Sequence, residues 1–219
     1  MLNSVIKACG IQSISEAEAA IEAGVNTIGL LMGITHVAED KITVERGKLI
    51  VQAVPEGIRT VMVTHLLDVE EIASIAEFTG VSAIQIHDDL PVEGLLELRK
   101  RLRGRELIKA VHVMSETAVV DAKALADYAD ALILDSRTKD RLGGTGLTHD
   151  WNVSRRIVES VGVPVILAGG LNPENVESAI KLVKPAGIDA NSGLEHLDGS
   201  KSSKKIRQFA VAGHALLES

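Results

Sequence analysis

The sequence predicts a (β/α)8 barrel, and three observations predict it. Short apolar runs alternate with helix-like segments from end to end. The pair repeats eight times at a spacing of roughly 25 residues. The turn after the first strand lacks the glycine fingerprint of a dinucleotide site, which disfavours a doubly wound open sheet. Aromatic residues are only 2% of the chain, so the core must be Val, Ile, Leu and Ala, as suits a parallel sheet covered by helices. With no linker, charge block or low-complexity tract, residues 1–219 are expected to form one domain.

The elements follow in order. A strand at 5–8 leads to a helix over 15–23, with Ser13 and Glu16 at capping-box spacing and Gly24 at its end. The second strand is 27–31, with a helix over 44–54. The third is 60–63, with a helix over 69–78 capped by Asp68. Strands at 83–86 and 107–111 precede helices over 91–102 and 116–128. The strand at 131–134 runs into a glycine-rich loop and a helix over 152–160. At 165–168 the apolar run is too short for a helix, and Gly169-Gly170 breaks it. Asn172, Pro173 and Glu174 suit the cap, first position and positive end of a helix over 174–183. The last strand is 187–190, and a helix over 204–217 closes the chain.

Composition narrows the function. A formal net charge of −7 argues against a nucleic-acid partner, yet leaves room for one small phosphate held by backbone amides. No apolar run reaches membrane-spanning length and no basic-then-apolar leader precedes the chain, so a cytoplasmic protein without a membrane partner is expected. The single cysteine, Cys9, rules out an intramolecular disulfide and fits a reducing compartment.

In such a barrel the reactive groups sit at the C-terminal ends of the strands. Those ends deliver Cys9, Thr64 and His65, Gln85 and His87, His112, Asp135, Gly169-Gly170, and then Asp189, Asn191, Ser192 and Gly193. Cys9 reads either as a small buried core residue or as a base. A thiol with a pKa of about 8.5 becomes thiolate only beside a positive charge. Lys7, two residues away on the same strand, points to the same side. Asp135 reads either as a loop cap or as an acid, and the second role requires a raised pKa.

Taken together, Ile6-Lys7-Ala8-Cys9-Gly10-Ile11, Ala83-Ile84-Gln85-Ile86-His87 and Leu132-Ile133-Leu134-Asp135-Ser136 form an ordered set. Gly143-Gly144-Thr145-Gly146 with Asp150-Trp151, the stretch 167–176, and the run from Gly187 to Glu195 complete it. In this order the chain, over 5–201, resembles the phosphoribosylanthranilate isomerase family of tryptophan biosynthesis. The resemblance implies an Amadori rearrangement of N-(5-phosphoribosyl)anthranilate to carboxyphenylamino-deoxyribulose phosphate. It implies Cys9 as base and Asp135 as acid, with no cofactor and no metal. Substrate or phosphate contacts are then expected at Lys7, Gln85, His87, Gly144, Gly146, Gly169, Gly170, Asp189, Asn191, Ser192 and Gly193. The partner is a small phosphorylated sugar, and the protein a monomer or homodimer.

The departures cluster at one barrel face. The family carries an arginine after the second strand, placed for the anthranilate carboxylate. The stretch 32–41 has none, leaving His36 or Lys41 as stand-ins beside Glu39 and Asp40. His65 and His112 replace apolar or small residues, His149 replaces a phenylalanine, and Asn191 replaces a serine. Histidines 36, 65, 87 and 112 at neighbouring strand ends fit a divalent metal, a proton relay or a polar substrate contact. Two alternatives follow: a paralogous barrel enzyme acting on another phosphosugar, and a non-catalytic protein that binds a phosphorylated ligand. Keeping Cys9 and Asp135 together argues against the second.

Overall fold

Strands whose residues alternate between two apolar environments need two cores, and the barrel supplies them. In the computed structural model, which describes residues 4–35, 38–102, 104–136 and 148–217, eight parallel strands close in sequence order. They are β1 (Val5–Ala8), β2 (Thr27–Leu31), β3 (Arg59–Thr64), β4 (Ala83–Ile86), β5 (Glu106–His112), β6 (Ala131–Asp135), β7 (Val165–Leu167) and β8 (Gly187–Ala190). β8 returns to pair with β1, aligning Lys7 with Asp189. Outside lie α1 (Ile14–Glu22), α2 (Val44–Ala53), α3 (Val69–Thr79), α4 (Val92–Arg101), α5 (Ala118–Ala126), α6 (Trp151–Ser160), α7 (Val176–Val183) and α8 (Ser203–Leu217).

The outward strand residues, among them Ile6, Ile28, Leu30, Met62, Ile84, Leu132 and Ile188, pack with the helices into one core. The inward residues Val5, Val61, Val63, Ala83, Ile108, Ala110, Ile133 and Ile166 fill the barrel as a second. Successive strand side chains point to opposite faces, so each strand feeds both. The expected caps at 13 and 68 hold. Ser13 Oγ accepts from Glu16 N at 3.2 Å and Asp68 Oδ1 from Glu71 N at 3.0 Å. Glu16 returns its carboxylate to Gln12 N (2.7 Å), one residue earlier than a strict capping box requires.

Several boundaries differ from the sequence reading. β3, β5 and β6 run on to Thr64, His112 and Asp135, and His112 aligns with Asp135 inside the ladder. α5 begins only at Ala118, because Ser115 Oγ accepts from Thr117 N (3.3 Å) and holds a turn instead. α7 begins at Val176 rather than 174. Asn172 Oδ1 takes the N–H groups of both Glu174 and Asn175, closing a turn ahead of the helix. A short 3-10 turn at Ser192–Leu194, after β8, was not expected from the sequence.

Phe209 of α8 is fully buried in the outer core. Phe209→Ala should lower the unfolding free energy by about 3–5 kcal/mol. Urea denaturation followed by circular dichroism checks this.

Candidate active site

Strand periodicity decides which side chains meet. The inward face passes through residues 61 and 63 on β3, 83 and 85 on β4, 108 and 110 on β5, and 131 and 133 on β6. Two more steps along each strand reach His65, His87, His112 and Asp135, and on β1 the same stepping from Val5 through Lys7 reaches Cys9. A cavity of about 550 Å³ opens at this end, lined by Cys9, His65, Gln85, His87, Asp135, Gly169, Gly170, Asp189, Asn191, Ser192 and Gly193.

Lys7 does not line it. The lysine is 0% exposed beneath the floor, where Nζ donates to Asp189 Oδ2 (2.8 Å) and Gln85 Oε1 (2.9 Å) and lies 3.6 Å from Cys9 Sγ. Gly29 of β2 makes the room, because a Cβ there would fall 2.7 Å from Cys9 Sγ and 2.9 Å from Lys7 Cε. An ammonium cannot accept a hydrogen bond, so Lys7 fixes the Gln85 amide with its oxygen toward Nζ. Gln85 Nε2 then donates to His87 Nδ1 at 3.2 Å. His87 Nδ1 is therefore the acceptor, and the ring proton is on Nε2, 3.4 Å from Asp135 Oδ2. Burial, with His112 and His65 adding to it, holds His87 well below its ordinary pKa, so the ring is neutral.

Burial also raises Asp135, to about 7, against the opposing hydrogen bond from Ser136 N. Cys9 is pushed up to about 12, because desolvation outweighs the attraction of Lys7. Asp189 and Gln85 meet the Lys7 charge, so little of it is left for the thiol. At neutral pH the cavity thus holds a thiol and a carboxyl close to half-protonated.

The glycine turns at β7 and β8 interlock. A Cβ on Gly193 would lie 2.0 Å from Leu171 O, so the turn after β8 can seat against the turn after β7 only as glycine. Gly169 takes φ +79° with its back to Ser136, and Gly170 takes φ +69°. The N–H groups of Gly170 and Gly193 have no backbone acceptor among the described residues, as an anion cradle requires. Asn191 lines the cavity but both its amide atoms are engaged. Nδ2 donates to Asp40 Oδ2 (2.6 Å) and Oδ1 accepts from Lys201 Nζ (2.6 Å). Lys201 and Gly29 escaped the sequence reading. Only Gly29 left a signal, as a glycine inside an apolar strand.

The histidines separate on inspection. His65 and His87 line the cavity with ring centroids 4.9 Å apart. His112 does not line it. It stands beside His87 (5.2 Å) and donates Nε2–H to the His87 carbonyl at 2.9 Å. His149 bridges Ser136 Oγ (3.0 Å) and Ser154 Oγ (2.6 Å), away from the cavity, and burial lowers it to about 4. Among the described residues no three His, Cys, Asp or Glu side chains are grouped as metal ligands. Lys41 is exposed, on a bridge to Leu31, and does not line the cavity. His36, Gly144 and Gly146 lie outside the described residues.

The fold and the mouth residues define a (β/α)8-barrel enzyme with a thiol and a carboxyl at its mouth and glycine turns at the ends of β7 and β8. The profile of one family, N-(5'phosphoribosyl)anthranilate (PRA) isomerase, matches residues 6–212, and the chain belongs to that family. A relative from Methanosarcina mazei, N-(5'-phosphoribosyl)anthranilate isomerase 2, is 42% identical over 206 residues, covering 93% of this chain and 91% of the relative. The crystal structure of phosphoribosyl anthranilate isomerase from Thermotoga maritima superposes with TM-score 0.86 at 28% identity, over 97% of this chain and 100% of that one. Another structure of such an isomerase, in complex with reduced 1-(o-carboxyphenylamino)-1-deoxyribulose 5-phosphate, gives 0.83 at 27%, with the same coverage.

The raised Asp135 carries a stability consequence. In the folded protein it is raised to about 7, above its ordinary value of 3.8. Its stabilising contribution is therefore complete below pH 4 and is lost as pH rises through 7. Asp135→Asn removes that loss. With 15% of the side chain exposed, the gain at pH 8 should be on the order of 2 kcal/mol, less than the full shift would give. Melting temperatures should show the variant above wild type at pH 8, with the gap closing toward pH 4.

Proposed function

We propose that the chain catalyses the Amadori rearrangement of N-(5-phosphoribosyl)anthranilate, a step of tryptophan biosynthesis, with Asp135 as acid and Cys9 as base. The observation that carries this reading is the pair itself: a thiol and a carboxyl raised to about 7 line one cavity, in a chain matching the family over 6–212. Asp135 protonates the furanose oxygen, the C1–O bond breaks, and the amine lone pair forms a C=N bond. The resulting iminium acidifies the C2 hydrogen. It also places a cation near Cys9, which draws down a thiol that stands near 12 in the empty cavity. Cys9 takes the C2 proton, and the enol tautomerises to the ketone. Proton transfer between side chains and substrate suffices, so the proposed reaction needs no cofactor.

The phosphate belongs at the amides of Gly170 and Gly193. Lys7 supports the site from below instead of touching substrate, and Gln85 and His87 orient Asp135. The chain acts as one domain in the cytoplasm, as monomer or homodimer. No described helix is long and apolar enough to cross a membrane.

A steady-state assay on phosphoribosylanthranilate generated in situ tests the reading, and absence of turnover sinks it. Cys9→Ser and Asp135→Asn should each lower kcat by about 100- to 10,000-fold. Wild-type kcat/KM should fall as pH rises through about 7, where Asp135 loses its proton. Gly170→Ala puts a side chain at φ +69° beside the cradle. KM for the phosphorylated substrate should rise with kcat nearly unchanged, at a folding cost of roughly 1–2 kcal/mol. An unchanged KM counts against the cradle.

A further inference from the structure

The proposed substrate carries two anionic ends, and the cavity is poorly furnished for the second. Its described lining holds no lysine or arginine, while Glu16, Glu39, Asp40, Glu195 and Asp198 all face it. Backbone amides can hold the phosphate at β7 and β8 without any cationic side chain. The other end of the substrate, an aromatic ring with a carboxylate, must then reach across the mouth. In a closed ring of eight strands the position opposite β7 and β8 is β3 and β4. Val63 at that position on β3, and Leu31 on the adjacent β2, line the cavity as an apolar surface of the kind an aromatic ring needs. Beside them stand His65 and His87, the two imidazoles of the described lining. His87 is committed, between Gln85 and Asp135. His65 is differently placed, with Nδ1 3.9 Å from Asp88 Oδ2. A carboxylate so placed can help orient the ring toward an anionic group of a ligand in the cavity.

We propose that His65, backed by Asp88, receives the carboxylate of the aromatic aglycone and so sets the preference for an anthranilate over an uncharged aniline. This rests on the isomerase reading above. It gives His65 a role in binding and none in proton transfer at the sugar, so its loss should act on affinity alone.

The experiment titrates full-length protein with two non-reactive probes. One is reduced 1-(o-carboxyphenylamino)-1-deoxyribulose 5-phosphate and the other its counterpart lacking the carboxylate. Wild type should bind the first more tightly. His65→Ala should weaken that probe by about 10- to 150-fold, as for a hydrogen bond to a charged group. Binding of the carboxylate-free probe should hold within twofold. His65→Gln, which keeps a donor without the imidazole, should fall between. In the assay His65→Ala should raise KM for phosphoribosylanthranilate with kcat within about threefold. Equal weakening of both probes would mean that His65 only shapes the pocket, and no weakening of either would mean that it touches nothing. Either result overturns the assignment while leaving the isomerase reading intact. If wild type binds neither probe and turns over no phosphoribosylanthranilate, the isomerase reading itself falls. Melting temperatures confirm that each variant is folded.

Discussion

A fully buried ammonium organises this barrel mouth. Lys7 sits at 0% exposure under the cavity floor, and a charge in that position persists only with acceptors around it. It finds Asp189 across the β1–β8 ladder and Gln85 from β4. Those bonds tie separate parts of the ring to one point. They also transmit direction: the ammonium sets the Gln85 amide, the amide sets the His87 tautomer, and the tautomer aims an N–H toward Asp135. Deleting the charge would leave Asp189 buried without its partner, so Lys7 is held in place by stability as well as by the site. The neighbouring strand conforms, since only glycine at position 29 clears both Lys7 and Cys9.

Much of this was legible in the sequence because it is encoded locally. The short apolar runs marked the strands, and their C-terminal ends, where a barrel carries its site, delivered Cys9, His65, His87 and Asp135. What stayed hidden depends on register between strands distant in sequence. Asp189 was named as a strand-end residue, but its pairing with Lys7 exists only because β8 closes onto β1. His112 was grouped with the other histidines, yet it supports the His87 backbone from outside the cavity. Lys201 gave no signal, because it reaches Asn191 and Glu195 only through the turn after β8. The shifted starts of α5 and α7 have a different cause. Ser115 and Asn172 bind nearby backbone N–H groups and hold turns where periodicity alone would continue a helix.

The charge distribution of the mouth restricts what can occupy it. Carboxylates dominate the described lining, and the lysines against it, Lys7 beneath the floor and Lys201 behind Asn191, are both paired with carboxylates. An anionic ligand must therefore bind through directed donors and not through a general positive field. Backbone amides at the β7 and β8 turns fit a compact phosphate, and they exist because Gly193 lets Leu171 O approach where any side chain would collide. Acidic walls also disfavour anions lacking a donor at each end, which gives selectivity through repulsion.

Asp135 and Cys9, the proposed acid and base, are tuned by the same environment in opposite usefulness. Desolvation raises both, and it helps the carboxyl, since an acid near 7 is protonated often enough to donate and weak enough to let go. The same desolvation leaves the thiol near 12, a poor base in the empty site. Lys7 lies 3.6 Å away yet does not correct this, because Asp189 takes up its charge. The asymmetry imposes an order. In the proposed reaction the carboxyl acts first on a neutral sugar, and its proton creates the cation that lets a thiolate form. A thiol activated in advance would sit as a buried anion among carboxylates, costing stability and exposed to oxidation. In the proposed mechanism a base that appears only after ring opening avoids both: Cys9 rests as a thiol, and its activation falls to the intermediate it is proposed to deprotonate.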